Sequence, residues 1–242
     1  MRSGAVAADR SDDSPARAAI LGGIRRAAGA LRDAEAARAA VAQRLAAHPR
    51  NLIPARTALP PAALVELFRR QRPGPWPATV ERVAAGRRAG RRCPDYLAGP
   101  QPCRPGCGWR PTPRSLALAW DSRPALEVDF GPARPDDATS VTSALAGIAE
   151  TGTLLTASGP GHPTGLTFLP STHIVVLPVE RIVGSYEAGW DLLRAAGDMP
   201  RTACLVTGPS RTADIEQTAQ LHAHGPGRLH IILVDGAALT HG

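Results

Sequence analysis

From Val141 to Val234 the sequence is broken into short apolar runs, each stopped by glycine or proline: 149–156 with a turn near Gly152, 174–179, 204–207 and 231–234. Runs this short suit buried strands and are too brief for core helices. Between the second and third of them the period changes. Across 185–196, Tyr186, Trp190, Leu193 and, more weakly, Ala196 recur at helical spacing. Strands alternating with helices predict an α/β sheet with layered helices.

Upstream, residues 1–13 read as a tail of small and charged residues, followed by two helices. Ser14-Pro15 offers an N-cap and a first-turn proline ahead of Ile20, Leu21, Ile24, Ala28 and Leu31. The second helix is expected over 35–47, ended by His48-Pro49, with Val41 and Leu45 as its only large apolar residues. A third starts at Pro60-Pro61 and carries Leu64, Val65, Leu67 and Phe68 on one face. Further strands are expected at 115–120 and 126–130. The organisation is then a tail and helical arm over 1–59 and an α/β domain over 60–242.

The net charge of +7 suggests a nucleic-acid partner only until it is located. All 28 basic residues are arginine, and the nine between Gln71 and Arg114, set against Glu81 and Asp95, account for the whole excess. A nucleic-acid groove needs charge spread over folded elements and interleaved with aromatic side chains. Here the charge sits in one proline-rich stretch that also holds Cys93, Cys103 and Cys107. Those thiols lack paired metal-ligand spacing, so no metal site is expected. The stretch reads as a solvated loop, and its composition is also that of a segment translated out of frame, which resequencing the coding DNA tests. No apolar run is long enough to span a bilayer, and no signal core stands at the N-terminus, so a cytoplasmic protein without membrane attachment is expected.

The most informative junction is Ala203 to Gln217. An apolar run stops at Gly208-Pro209, and Asp214 with Gln217 has the form of a capping box, so a helix is expected from about Asp214. Unpartnered N–H groups at such a helix start, with Arg211 beside them, suit an organic anion, and Gly208, Ser210 and Thr212 are candidate contacts. The alternative for Arg211 is a structural ion pair with Glu150 or Glu216. Glu150 lies at a strand end next to a glycine turn, open to a ligand; it reads first as a turn residue that caps Thr151 or Thr153 and otherwise as a candidate catalytic carboxylate. Thr151, Gly152 and Thr153 flank it as candidate ligand contacts. The loop Ser158-Gly159-Pro160-Gly161 lacks the signature of a P-loop or dinucleotide fingerprint. Ser158 and Gly159 could nevertheless line one crevice with 208–212 at the sheet edge. His224 pins a turn or joins that crevice, and His222 with His224 does not make a metal pair.

Four ordered stretches carry a family resemblance: Ile148-Ala149-Glu150-Thr151-Gly152-Thr153, Ser158-Gly159-Pro160, Leu169-Pro170-Ser171-Thr172-His173-Ile174-Val175-Val176, and Gly208-Pro209-Ser210-Arg211-Thr212-Ala213-Asp214-Ile215-Glu216 followed by His224-Gly225-Pro226 and Leu229 to Val234. Together they resemble the LUD domain family, and the opening Ile20 to Arg26 is similar to the first helix of its lactate-utilisation protein C type. The resemblance implies the Rossmann-like three-layer α/β/α sandwich shared by sugar-phosphate isomerases and CoA transferases, where a glutamate placed like Glu150 can accept an acyl group. It also implies a part in oxidising L-lactate to pyruvate beside iron–sulfur partner proteins. No cysteine spacing or glycine fingerprint in this chain points to a redox cofactor of its own. Two functions follow: a cofactor-free component of a lactate-oxidising system that binds an organic anion, or an autonomous CoA-transferase-like or isomerase-like enzyme using Glu150 with Arg211.

Overall fold

A computed structural model describes residues 14–28, 34–71, 78–84, 109–111, 130–213, 219–221 and 224–236. The chain divides into two compact units, Met1–Arg50 and Asn51–Gly242. Residues 51–59 fall within the second of these units.

In the first unit, α1 (Pro15–Ala28) starts where Ser14 Oγ accepts the Arg17 N–H at 3.1 Å. Helix α2 (Ala34–Ala47) ends at His48, which adopts a positive φ of 43°. Pro49 disfavours helical geometry at the residue before it, and the left-handed turn closes the helix instead.

The second unit holds α3 (Pro61–Arg70), a single turn α4 (Gly165–Phe168) and α5 (Tyr186–Ala195). Its strands are β1 (Thr79–Ala84), β2 (Trp109–Pro111), β3 (Thr139–Ser143), β4 (Ala146–Ile148), β5 (Thr153–Ala157), β6 (Thr172–Pro178), β7 (Ile182–Val183), β8 (Ala203–Val206), β9 (Arg211–Ala213), β10 (Ala219–Leu221) and β11 (Arg228–Asp235). Five of them form an all-parallel sheet in the order β1-β11-β6-β3-β2. Every residue of β3 and β6 is buried, as expected of parallel strands covered on both faces.

A second, mixed sheet runs β7-β4-β5-β8. The two sheets share strand paths. Ala144 N–H still bonds the Val176 carbonyl of the parallel sheet, whereas Leu145 N–H bonds Leu155 of the second. The neighbouring parallel pair β3/β6 thus continues into the neighbouring parallel pair β4/β7. Strand alternation sends Leu154 to a core with Leu64, Val65 and Phe68 of α3, and Leu155 to a core with Ile148 and Leu193, beside Trp190 of α5. Burying Phe68, which is 1% exposed, stabilises the unit by about 2–3 kcal/mol. Ser185 caps α5 by accepting the Ala188 N–H. The result is a Rossmann-like α/β fold.

One expectation changes, and others fall outside the described residues. The helix expected from about Asp214 opens on residues that are among these. β9 and β10 pair antiparallel, with Ala213 opposite Ala219, and residues 214–218 lie outside the described residues. Arg211 stands on the strand β9. The stretch 71–114, read as loop, contains β1 and β2; Ala78 and Val83 are buried there and β1 pairs with β11 throughout its length. The strands expected at 115–120 and 126–129, the three cysteines and the pair Asp214/Gln217 lie outside the described residues, and Phe130 is not in a strand. Among the described residues no helix is long and apolar enough to cross a membrane.

Candidate functional site

Glu150 stands where the shared strand path ends. Ala149 N–H bonds the Val183 carbonyl and Glu150 N–H bonds that of Gly184, so its backbone is held just past the carboxyl end of β4. Carboxyl ends of parallel strands are where α/β sheets place their ligands. The side chain is 16% exposed and lies 3.7 Å from Arg56 Nη2. Arg56 rides on a 3-10 turn, Ala55–Thr57, that is pressed onto Gly184: any side chain there would run into the Thr57 carbonyl. Glu187 holds the same strap by accepting the Asn51 N–H at 2.9 Å. The described cation facing Glu150 is therefore Arg56, not Arg211; Glu216 lies outside the described residues.

The next residues make a turn that only glycine fits easily. Gly152 has φ +69°, and a methyl group on it would overlap the Gln71 carbonyl oxygen. The turn delivers Thr151 and Thr153 to one hydroxyl cluster. Thr151 Oγ1 is 2.7 Å from Thr153 Oγ1 and 2.8 Å from the Tyr186 hydroxyl. Thr153 Oγ1 is 3.0 Å from that hydroxyl and 2.7 Å from Thr207 Oγ1. Four hydroxyls carry four protons and make four contacts, so one closed arrangement consumes every donor inside the cluster. What it then shows to the outside is oxygen lone pairs. The cluster fastens the Glu150 turn.

Thr207 joins this cluster to the other expected motif. After it, Gly208 has φ +90°, Ser210 N–H bonds the Pro226 carbonyl at 2.7 Å, and Gly225 packs against Ser210. Arg211 is half-buried and His224 exposed. The side chain of Thr212 lies outside the described residues.

Ser158 and Gly159 go elsewhere. They line a cleft of about 470 Å³ with Ser143, Leu145, His162 and Asp198, and neither Gly208, Ser210 nor Arg211 takes part in its lining. Strand β5 runs from Thr153 to Ala157, so its two ends, and the two halves of the expected crevice, stand roughly 13 Å apart. Behind the cleft, His173 is wholly buried with Nε2 2.8 Å from Thr142 Oγ1. Burial, and secondarily His162, pushes its pKa down to about 3, so this imidazole is neutral and structural.

Sequence reasoning missed Arg56, Tyr186, Thr207, Ser143 and Asp198. Tyr186 was visible only as part of the apolar stripe of α5, and Thr207 as the end of a strand. Nothing local marked Arg56, because its role depends on Gly184 far along the chain.

Residues 138–234 match the LUD domain family. Over 137 residues the chain is 29% identical to lactate utilization protein C of Exiguobacterium, covering 52% of this chain and 56% of that protein. Over 91 residues it is 33% identical to lactate utilization protein C of Bacillus subtilis, covering 36% and 38%. An uncharacterized protein of Neisseria meningitidis serogroup B is 33% identical over 94 residues, covering 38% and 40%. The matches thus span between 38% and 56% of these relatives' length. A crystal structure of a DUF162 family protein from Deinococcus radiodurans shares the fold, with a TM-score of 0.53 at 19% identity over 73% of this chain and 99% of that one. The stretch similar to the LUD domain family, residues 138–234, encloses Glu150, the whole hydroxyl cluster and Arg211.

Proposed function

We propose that this chain serves L-lactate utilisation as a component without its own redox cofactor, binding a small organic anion near Glu150 and docking to iron–sulfur partner proteins in the cytoplasm. The observation that carries this reading is the LUD match over the residues that build the Glu150 turn, shared with relatives named for lactate utilisation. The geometry suits a carboxylate ligand. Arg56 has a 62% exposed side chain and only a long contact to Glu150, so an incoming carboxylate can take its guanidinium in two parallel hydrogen bonds. Arg211, Gly208, Ser210, Thr212 and His224 are the second group of proposed contacts, reached through Thr207.

Deleting the gene in a strain with no second LUD-domain copy tests the role. Growth on L-lactate should fail while growth on glucose is retained, and recovery of an iron–sulfur protein with the tagged chain from lactate-grown cells should accompany it. Normal lactate growth refutes the reading.

The second reading, an acyl-transferring enzyme, draws on the position of Glu150 at a strand's carboxyl end. Its carboxylate would attack a thioester carbonyl, release the thiolate and hold the acyl group as a mixed anhydride. Trapping with hydroxylamine after incubation with an acyl-CoA would convert Glu150 to a hydroxamate detectable by mass spectrometry; an unmodified Glu150 rejects it.

A further inference from the structure

The cleft beside Ser158 and Gly159 lies apart from the Glu150 turn, and its chemistry is opposite to that of an anion site. The glycine-rich loop looks from its sequence like a cradle of amides, but most of them are committed. Ser158 N–H bonds the Thr202 carbonyl, Gly159 N–H and His162 N–H each bond the other's carbonyl, and Pro160 and Pro163 have no N–H. Among residues 158–163 lying on this loop, Gly161 alone keeps an N–H without a backbone partner. Among the described residues no arginine lines the cleft. Asp198 does line it, as an exposed carboxylate.

Inside, Ser143 sits at the carboxyl end of β3, where the strand path leaves the parallel sheet. It is 7% exposed and lines the cleft. A serine hydroxyl on a cleft wall can both accept and donate a hydrogen bond to a ligand. Leu145, Leu193 and Ala157 supply an apolar wall. A cavity of about 470 Å³ is far larger than a three-carbon acid needs and falls in the ordinary size range of small-molecule sites.

We propose that this cleft is a second binding site, distinct from the anion site, for a cationic or uncharged organic molecule of ring size: an apolar body lies on Leu145 and Leu193, and a hydrogen-bond-donating amine or hydroxyl group meets Ser143 and Asp198. This goes beyond the lactate reading and does not depend on it.

A matched pair of probes sharing one ring and differing in charge tests the proposal: tryptamine and indole-3-acetate, titrated by calorimetry and by ligand-observed NMR against the full chain. Tryptamine should bind saturably, and indole-3-acetate should bind at least about tenfold more weakly. Asp198→Asn should bring the two affinities within about threefold of each other. Ser143→Ala should weaken tryptamine several-fold while shifting the melting temperature by no more than a few degrees, since one small hydroxyl is removed. Gly159→Leu, at a position with no atom within 4 Å of the added carbon, should obstruct the cleft without unfolding the chain. Equal or tighter binding of indole-3-acetate overturns the proposal, as does an absence of binding by both probes, or tryptamine binding that survives Gly159→Leu and Asp198→Asn unaltered. L-lactate titrated into the same samples reports separately on the anion site.

Discussion

Replacing Gly152 by alanine tests whether the Glu150 turn is held as described. The residue has φ +69°, where a side chain costs about 1–2 kcal/mol. The new methyl would also overlap the Gln71 carbonyl oxygen and lie 2.8 Å from Gln71 Cβ, so backbone must move, at roughly 1–3 kcal/mol. Reduced freedom of the unfolded chain returns about 0.4–1 kcal/mol. The net loss is about 2–4 kcal/mol, or roughly 5–15 °C in melting temperature for a unit of this size. Gly159→Ala is the matched control: its φ is not positive and no atom lies within 4 Å of the added carbon, so stability should stay within about 0.5 kcal/mol. Urea denaturation of both variants, followed by circular dichroism, gives the comparison. Equal stabilities for the two would refute the packing of Gly152 on the end of α3.

Thr153→Val keeps the shape of a fully buried side chain and removes contacts to Thr151, Tyr186 and Thr207; a loss of about 1–3 kcal/mol is expected in urea titrations. Arg56→Ala should change stability by less than about 1 kcal/mol, because its partner contact is long and solvent-screened, yet weaken calorimetric binding of a lactate-type carboxylate about tenfold. Glu150→Gln should leave the fold intact and tighten that binding, since a neighbouring carboxylate no longer competes for Arg56. Stability should fall as pH drops below about 6.5. Burial holds His173 near 3 and His230 near 4 in the folded state, so between about 6.5 and 4 the unfolded chain takes up protons that the folded chain refuses. His173→Gln, whose amide can still reach Thr142, should flatten that slope by up to about 1.4 kcal/mol per pH unit in denaturation series at several pH values.

The class of the fold and the positions of most site-bearing strands were legible because they depend on local pattern. Apolar runs of strand length marked β5, β6, β8 and β11, the helical stripe marked α5, and a glycine between two apolar runs marked the turn at Gly152. The same local reasoning failed at Thr79–Ala84, where arginine and proline around the strand masked a run that pairs with β11.

The site divides along the same line. The sequence by itself determined that Glu150 follows an apolar run and precedes a glycine turn, because both are consequences of neighbouring residues. Only the tertiary structure decided what stands opposite it. Arg56, Tyr186 and Thr207 come from three separate parts of the chain, and they meet because the strand path of β3 and β4 crosses from one sheet to the other and ends against the strap at Thr57. The crevice expected to unite Ser158 with Arg211 became two places for an equally physical reason: a strand is a rigid spacer, and Thr153 and Ser158 lie at opposite ends of β5.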